Sequence, residues 1–257
     1  AYTALAPPGA PPARTRHGDH LALYWADLLL GLAADLVEQA PASPEVRCRL
    51  SATVGHVLTR THRGQLTELH LQHTHPAQIP VADLLAMYAD KAADYCYQLP
   101  FTLGAILGGL DPDRLGATRT VLETVGVASQ IIDDIAGGCP QVLEQGKDSI
   151  GEITQLRRTV LLCDLARRLP AGDPLQPILA GQATTPEQTA AIREAFLTFG
   201  AVTAAATRAA ALADQAAAAI DRLGLAAPAT AYLHDLVDVR VRHSLGVLTA
   251  GDAVGSG

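Results

Sequence analysis

Two adjacent carboxylates at the end of an apolar stretch, Asp133 and Asp134 in SQIIDDIAGG, carry the strongest chemical signal in the sequence. Burying charge is costly unless it is paired or holds a metal, and this pair directly follows Ile131 and Ile132. Hard oxygen donors of this kind suit magnesium, which one or two carboxylates hold together with substrate phosphates and water. Just beyond lies a Gly-rich polar segment, GGCPQVLEQGKDSIGE over 137–152, which contains Lys147. Taken alone, a solvated helix end before Gly137 and Gly138 is the simpler reading of the pair. Neighbours of matching polarity and spacing shift it toward metal and phosphate. His70, His73 and His75 in HLQHTHP form a second polar cluster. No local carboxylate or cysteine completes a metal set there, so ordinary solvated histidines are the better reading.

The elements that must position these residues read as helices. Ala and Leu dominate a composition that is 49% hydrophobic and only 4% aromatic, which favours packed helices over a sandwich or barrel. The spacing predicts helices over 20–39, 44–73, from 81 to the Gly108-Gly109 pair, 111–135, 153–169, 186–223 and 227–249. The first is apolar at most positions and is expected to be buried nearly all round. Pro100 should kink or divide the third. Residues 1–17, rich in proline, read as an arm, and 18–257 as a single all-α domain. The segment 137–152 reads as a functional loop.

Composition excludes several classes. The net charge is −7 with no long Lys/Arg cluster, so nucleic acid is not expected as a partner. Cys48, Cys96, Cys139 and Cys163 form no C-x-x-C pair and read as reduced thiols of a cytoplasmic protein. Asp27 and Asp35 interrupt the most apolar stretch, so no membrane span is expected, and the proline-rich start does not resemble a signal peptide.

Five further segments stand in a telling order: GDHLALYWADLLL, GQLTEL, KAA at Lys91, Gln130 leading into Asp133-Asp134, and GKDSIGEITQLRRT. Together they resemble the G-x-x-L-A-x-x-x-x-D-x-L-L, G-Q-x-x-D-L, K-T-A, Q-x-x-D-D-x-x-D and G-K-x-x-G-x-D-L-x-x-G-K-x-T motifs of the trans-isoprenyl diphosphate synthases, the polyprenyl synthetase family. The resemblance implies an isoprenoid synthase-type helical bundle around a central apolar cavity, with a prenyl diphosphate bound at its mouth. It further implies that Asp133 and Asp134 ligate Mg2+ and that Lys91 and Lys147 hold diphosphate oxygens. Gln130, Gln65, Arg157 and Arg158 are the remaining substrate-binding candidates, and a homodimer is the implied assembly.

Departures from the family pattern shape the expected activity. The first aspartate-rich motif, D-D-x-x-D, has no counterpart in residues 1–20, so opening helices upstream of this chain are expected. The family's R-R-G-x-P is matched by Pro7-Pro8-Gly9-Ala10-Pro11, which lacks both arginines that bind isopentenyl diphosphate. Gly137 stands for the last Asp of the second motif, Ala92 for a Thr and Glu152 for an Asp. The expected function is therefore magnesium-dependent ionisation of an allylic prenyl diphosphate, followed by cyclisation or transfer to an acceptor. Chain elongation and a silent regulatory subunit are the alternatives. Rings available to a cation-lining cavity are Tyr24, Trp25, Tyr95, Tyr97 and Phe101.

Overall fold

The computed structural model describes residues 12–140, 153–181 and 183–254, and among these there are helices and turns but no strand. The chain divides into two compact units, Ala1–Gly55 and His56–Gly257. Lys147 and Glu152, in the loop expected to hold phosphate, lie outside the described residues.

The first unit contains α1 (Pro12–Glu38) and the opening turns of α2 (Pro44–Leu71). Helix α1 begins at Pro12, within the stretch expected as an arm, as Pro at a first helical position permits. Its burial was not as expected: Leu23, Tyr24, Trp25, Leu28, Leu29, Leu32 and Leu36 are all exposed. Gly18–Glu38 is also long and apolar enough, by length and composition alone, to cross a membrane, a test that core helices and signal sequences pass as well.

In the second unit, α3 (Val81–Tyr88), a π-helical segment (Ala89–Gln98) and α4 (Leu99–Leu107) form one continuous run. Pro100 explains the π segment. Proline offers no N–H and crowds the carbonyl a turn earlier, and the wider turn makes room for the ring: Leu99 N–H bonds to Asp94 O, five residues back. Helix α5 (Pro112–Gly138) starts at Asp111, whose carboxylate accepts from the N–H groups of Asp113 and Arg114. It extends to Gly138, past the predicted end at 135.

The region predicted as one helix over 153–169 is irregular until α6 (Val160–Arg168), which Thr159 caps through Leu162 N–H. After the short α7 (Leu175–Leu179), the predicted helix over 186–223 is two: α8 (Pro186–Thr198) and α9 (Ala201–Ile220). Gly200, at φ 68°, turns the chain between them, a conformation that favours glycine. The last helical run is α10 (Ala227–Val237), a second π segment (Asp238–Arg242) and α11 (His243–Val254).

Helix α5 is the centre of this unit, with the π segment Ala89–Gln98 on one side and α9 on another. Helix α9 presents Ala205, Ala209, Ala213 and Ala216, all buried, and these small side chains admit close packing. Ile131, Ile132, Ile135, Leu161, Leu165 and Phe196 fill the core, each worth about 1.5–3 kcal/mol in removal from water. Where α5 crosses the π segment, a Cβ on Gly126 would stand 2.5 Å from Ala93 Cβ. Gly126→Ala is therefore expected to destabilise the protein by about 1–3 kcal/mol, read as a lowered denaturant midpoint at unchanged m-value.

Candidate active site

Asp133 and Asp134 are neighbours in sequence and differ in environment. Adjacent helical residues point about 100° apart, and here one of the two lies deeper in the interior. That one is Asp134, 3% exposed, which accepts from Gln130 Nε2 at 3.0 Å and from the Tyr88 hydroxyl. Tyr88 in turn accepts from Val160 N–H at 2.8 Å. These bonds tie α5 to the end of α3 and the first residue of α6. Burial, followed by the neighbouring Asp134 carboxylate, holds the Tyr88 hydroxyl well above its usual pKa, so it stays a donor.

Asp133 is half-buried. Its charge reaches Arg240 on the second π segment, whose pKa is raised chiefly by Tyr97 and further by Asp133. Arg240 Nε donates to the Tyr97 hydroxyl at 3.2 Å, and that hydroxyl donates to Ser129 Oγ at 2.6 Å. The chain from Arg240 thus ends on α5, one residue before Gln130.

Lys91 sits in the first π segment, where Gly64 explains the close approach of α2. A Cβ at Gly64 would lie 2.6 Å from the Lys91 nitrogen, so the glycine of GQLTEL is required by packing. The Lys91 ammonium pairs with Glu68 of the same motif at 2.7 Å, both side chains being largely buried. A phosphate at Lys91 would join or displace that carboxylate. Gln65 is exposed on α2.

The two arginines of the GKDSIGEITQLRRT segment separate in the same way as the two aspartates. Arg157 is half-buried and lines a narrow crevice with Asp134, Gly138 and Thr159. Arg158 is buried and donates to the carbonyls of Leu156 at 2.7 Å, Gln72 at 3.0 Å, Thr74 at 3.1 Å and Gly181 at 3.2 Å. The guanidinium holds backbone together, including Leu156, which has the left-handed φ of 45°.

One charged cluster was not anticipated. Arg60 on α2 pairs with Asp90 at 2.9 Å and Asp94 at 2.7 Å, and Arg63 pairs with Asp90 at 2.7 Å. Gln98 donates to Asp94 and accepts from Arg119 Nε at 3.1 Å. Asp94 is fully buried, and burial raises its pKa against the opposing pull of Arg60. The signal was present, since residues 90, 94 and 98 recur every four positions on one helix face. Of the five rings expected at a cavity, Tyr97 and Phe101 line one, while Tyr24, Trp25 and Tyr95 are exposed.

The chain belongs to the polyprenyl synthetase family, whose model matches residues 9–197. The geranylgeranyl pyrophosphate synthase of Corynebacterium glutamicum, solved with isoprenyl diphosphate and magnesium, is similar at 25% identity and TM-score 0.79. That match covers 89% of this chain and 64% of the synthase, so the chain spans less than two thirds of its relative's length. A polyprenyl synthetase of Streptomyces coelicolor A3(2) shares the fold at 20% identity and TM-score 0.71, over 90% of this chain and 67% of its own. A geranylgeranyl pyrophosphate synthetase of Pyrococcus horikoshii does so at 18% identity and TM-score 0.72, over 92% and 71%.

Proposed function

We propose that this protein is a magnesium-dependent prenyltransferase that takes an allylic prenyl diphosphate and joins its chain to an acceptor. The observation that carries this reading is the division of labour on α5. Asp134 is locked inward by Tyr88 and Gln130, and that lock sets Asp133 at the half-buried edge of the helix.

The donor set fits magnesium in one specific way. Among the described residues no group of three His, Cys, Asp or Glu side chains could hold a metal, so an all-protein cage is not what they offer. A single carboxylate sharing the ion with substrate phosphates is a normal magnesium arrangement, and Asp133 can be that ligand. When bound, the ion would neutralise charge on the departing diphosphate. Lys91, Arg157 and, in the loop, Lys147 would hold its oxygens, and Gln130 would position Asp134. In transfer, the allylic C–O bond breaks with its electron pair leaving on diphosphate, the acceptor's electron pair forms the new bond to carbon, and the acceptor gives up a proton.

The family and its synthase neighbours favour chain elongation, the alternative, over the first expectation of cyclisation or transfer to another acceptor. A second reading concerns the acceptor. Pro7 and Pro8 stand where the family carries paired arginines for isopentenyl diphosphate, and proline supplies neither charge nor backbone donor. In that reading the acceptor is a different nucleophile. A homodimer belongs to the same proposal, measurable by sedimentation.

Incubation with allylic diphosphates of several lengths and labelled isopentenyl diphosphate, with and without magnesium, tests both. Diphosphate release that requires magnesium is expected. Label in longer chains identifies elongation, and release without incorporation identifies another acceptor. No release from any allylic substrate, with magnesium present, would overturn the enzyme reading in favour of a silent subunit.

A further inference from the structure

Arg60, Gly64 and Glu68 recur every four positions on α2 and so share one helix face, all of them within the second unit. All three meet the same part of the first π segment. Arg60 spans two carboxylates, with Nη2 at 2.9 Å from Asp90 and Nε at 2.7 Å from Asp94. Gly64 lies against the Lys91 backbone, where a Cβ would stand 2.6 Å from the nitrogen, and Glu68 pairs with the Lys91 ammonium at 2.7 Å. Asp90 directly precedes Lys91 and Asp94 follows it within a turn, so one guanidinium grips the chain on both sides of the lysine.

That grip is stiff for three reasons. A planar guanidinium holds two partners in a fixed geometry that an ammonium on a flexible stem does not reproduce. Asp94 is fully buried, so the adjacent guanidinium compensates a charge that water does not reach. Asp90 is held from its second oxygen by Arg63 at 2.7 Å, which keeps its carboxylate on α2 rather than on the neighbouring Lys91.

We propose that Arg60 is a positioning residue for Lys91: by tying Asp90 and Asp94 to α2 it fixes the turn from which the Lys91 ammonium reaches a diphosphate. Desolvation offsets much of the attraction in a buried ion pair, so the bridge adds little net stability, and what it supplies is a fixed place for that turn. The inference rests on the proposed role of Lys91. Arg60 itself touches no substrate atom, and a positioning Arg60 differs from a merely structural one in acting only through Lys91.

The test is calorimetric titration of the whole protein with inorganic diphosphate in the presence of magnesium. Lys91→Ala should weaken binding about tenfold or more, as for one lost charge-assisted contact. Arg60→Gln combined with Asp94→Asn replaces the ion pair by two amides able to bond each other, so no buried charge is left alone and the Tm should stay near that of the parent. Binding should still weaken about 3–10-fold, because the bridge to Asp90 is gone. Adding Lys91→Ala to this double variant should cost no more than Lys91→Ala costs alone, the non-additivity of residues that act as one unit. Arg60→Lys, which keeps the charge and loses the fork, should not restore parental binding. If the parent binds no diphosphate, or Lys91→Ala binds it as the parent does, the proposed role of Lys91 falls and this inference with it. If Lys91→Ala binds weakly while the double variant binds as the parent does, or if the two losses simply add, the role of Arg60 alone is overturned.

Discussion

Replacing Asp133 by alanine is expected to lower magnesium-dependent diphosphate release about 10²–10³-fold, the usual cost of removing one preorganised electrostatic contact from a reacting charge. The Tm should move little, because Asp133 is half-buried at the helix edge, while the bonds of Tyr88 and Gln130 that brace α5 run to Asp134 and Val160. Its neighbour behaves differently. Tyr88→Phe leaves Asp133 untouched and takes from Asp134 the Tyr88 donor, so the Asp134 carboxylate is less firmly held in one orientation. Losing a hydrogen bond that orients the carboxylates in this way costs about 10–100-fold in metal affinity or activity. It should also lower stability, since Val160 N–H loses the acceptor it has inside the core. The informative quantity is the magnesium concentration at half-maximal rate. It should rise in both variants, and a Tyr88→Phe protein with unchanged magnesium dependence and unchanged rate would show that the brace has no functional role.

The second large effect is on folding rather than chemistry. Arg158→Ala removes the donor to four carbonyls contributed by three separate stretches of chain, and at least the most buried of them have no water to replace it. Leaving buried acceptors unsatisfied costs about 1–3 kcal/mol each, with strong non-additivity, so a total of roughly 3–5 kcal/mol is expected. For a chain of this size that corresponds to a fall in Tm of roughly 6–15 °C. Burial lowers the pKa of Arg158, yet it remains a cation at neutral pH, so lysine in its place keeps the charge and loses the fork that reaches several carbonyls at once. Arg158→Lys should therefore be only partly restored. If Arg158→Ala instead kept its Tm and showed only a raised KM, the arginine would be a substrate ligand after all. Arg157→Ala is the contrasting variant, expected to keep its Tm and raise KM.

Much of the architecture was legible in the residues. Asp111 followed by Pro112 marked the start of α5, and Pro100 marked a break in the run after Val81, because a cap and a missing N–H act locally. What the break would become was not legible. Proline could have ended the helix, and it is the packing of Ala93 against Gly126 and of Lys91 against Gly64 that keeps the run continuous through a π segment. Helix α1 shows the opposite limit. Its apolar residues predicted a buried helix, but hydrophobicity states only what a surface would prefer to touch, and among the described residues that face remains exposed.

The sequence by itself determined the helical class, the order of the elements and the family motifs, and it singled out the carboxylate pair as the candidate site. These are properties of composition, period and spacing, which survive without knowledge of what packs on what. Only the tertiary structure decided between members of each pair. Asp133 and Asp134, like Arg157 and Arg158, are chemically equal in the sequence, and each pair straddles a boundary between interior and edge. The deciding groups lie far away along the chain: Tyr88 for Asp134, and Gln72, Thr74 and Gly181 for Arg158. A charge is buried only where such partners satisfy it, so the choice between ligand and brace belongs to the packed fold.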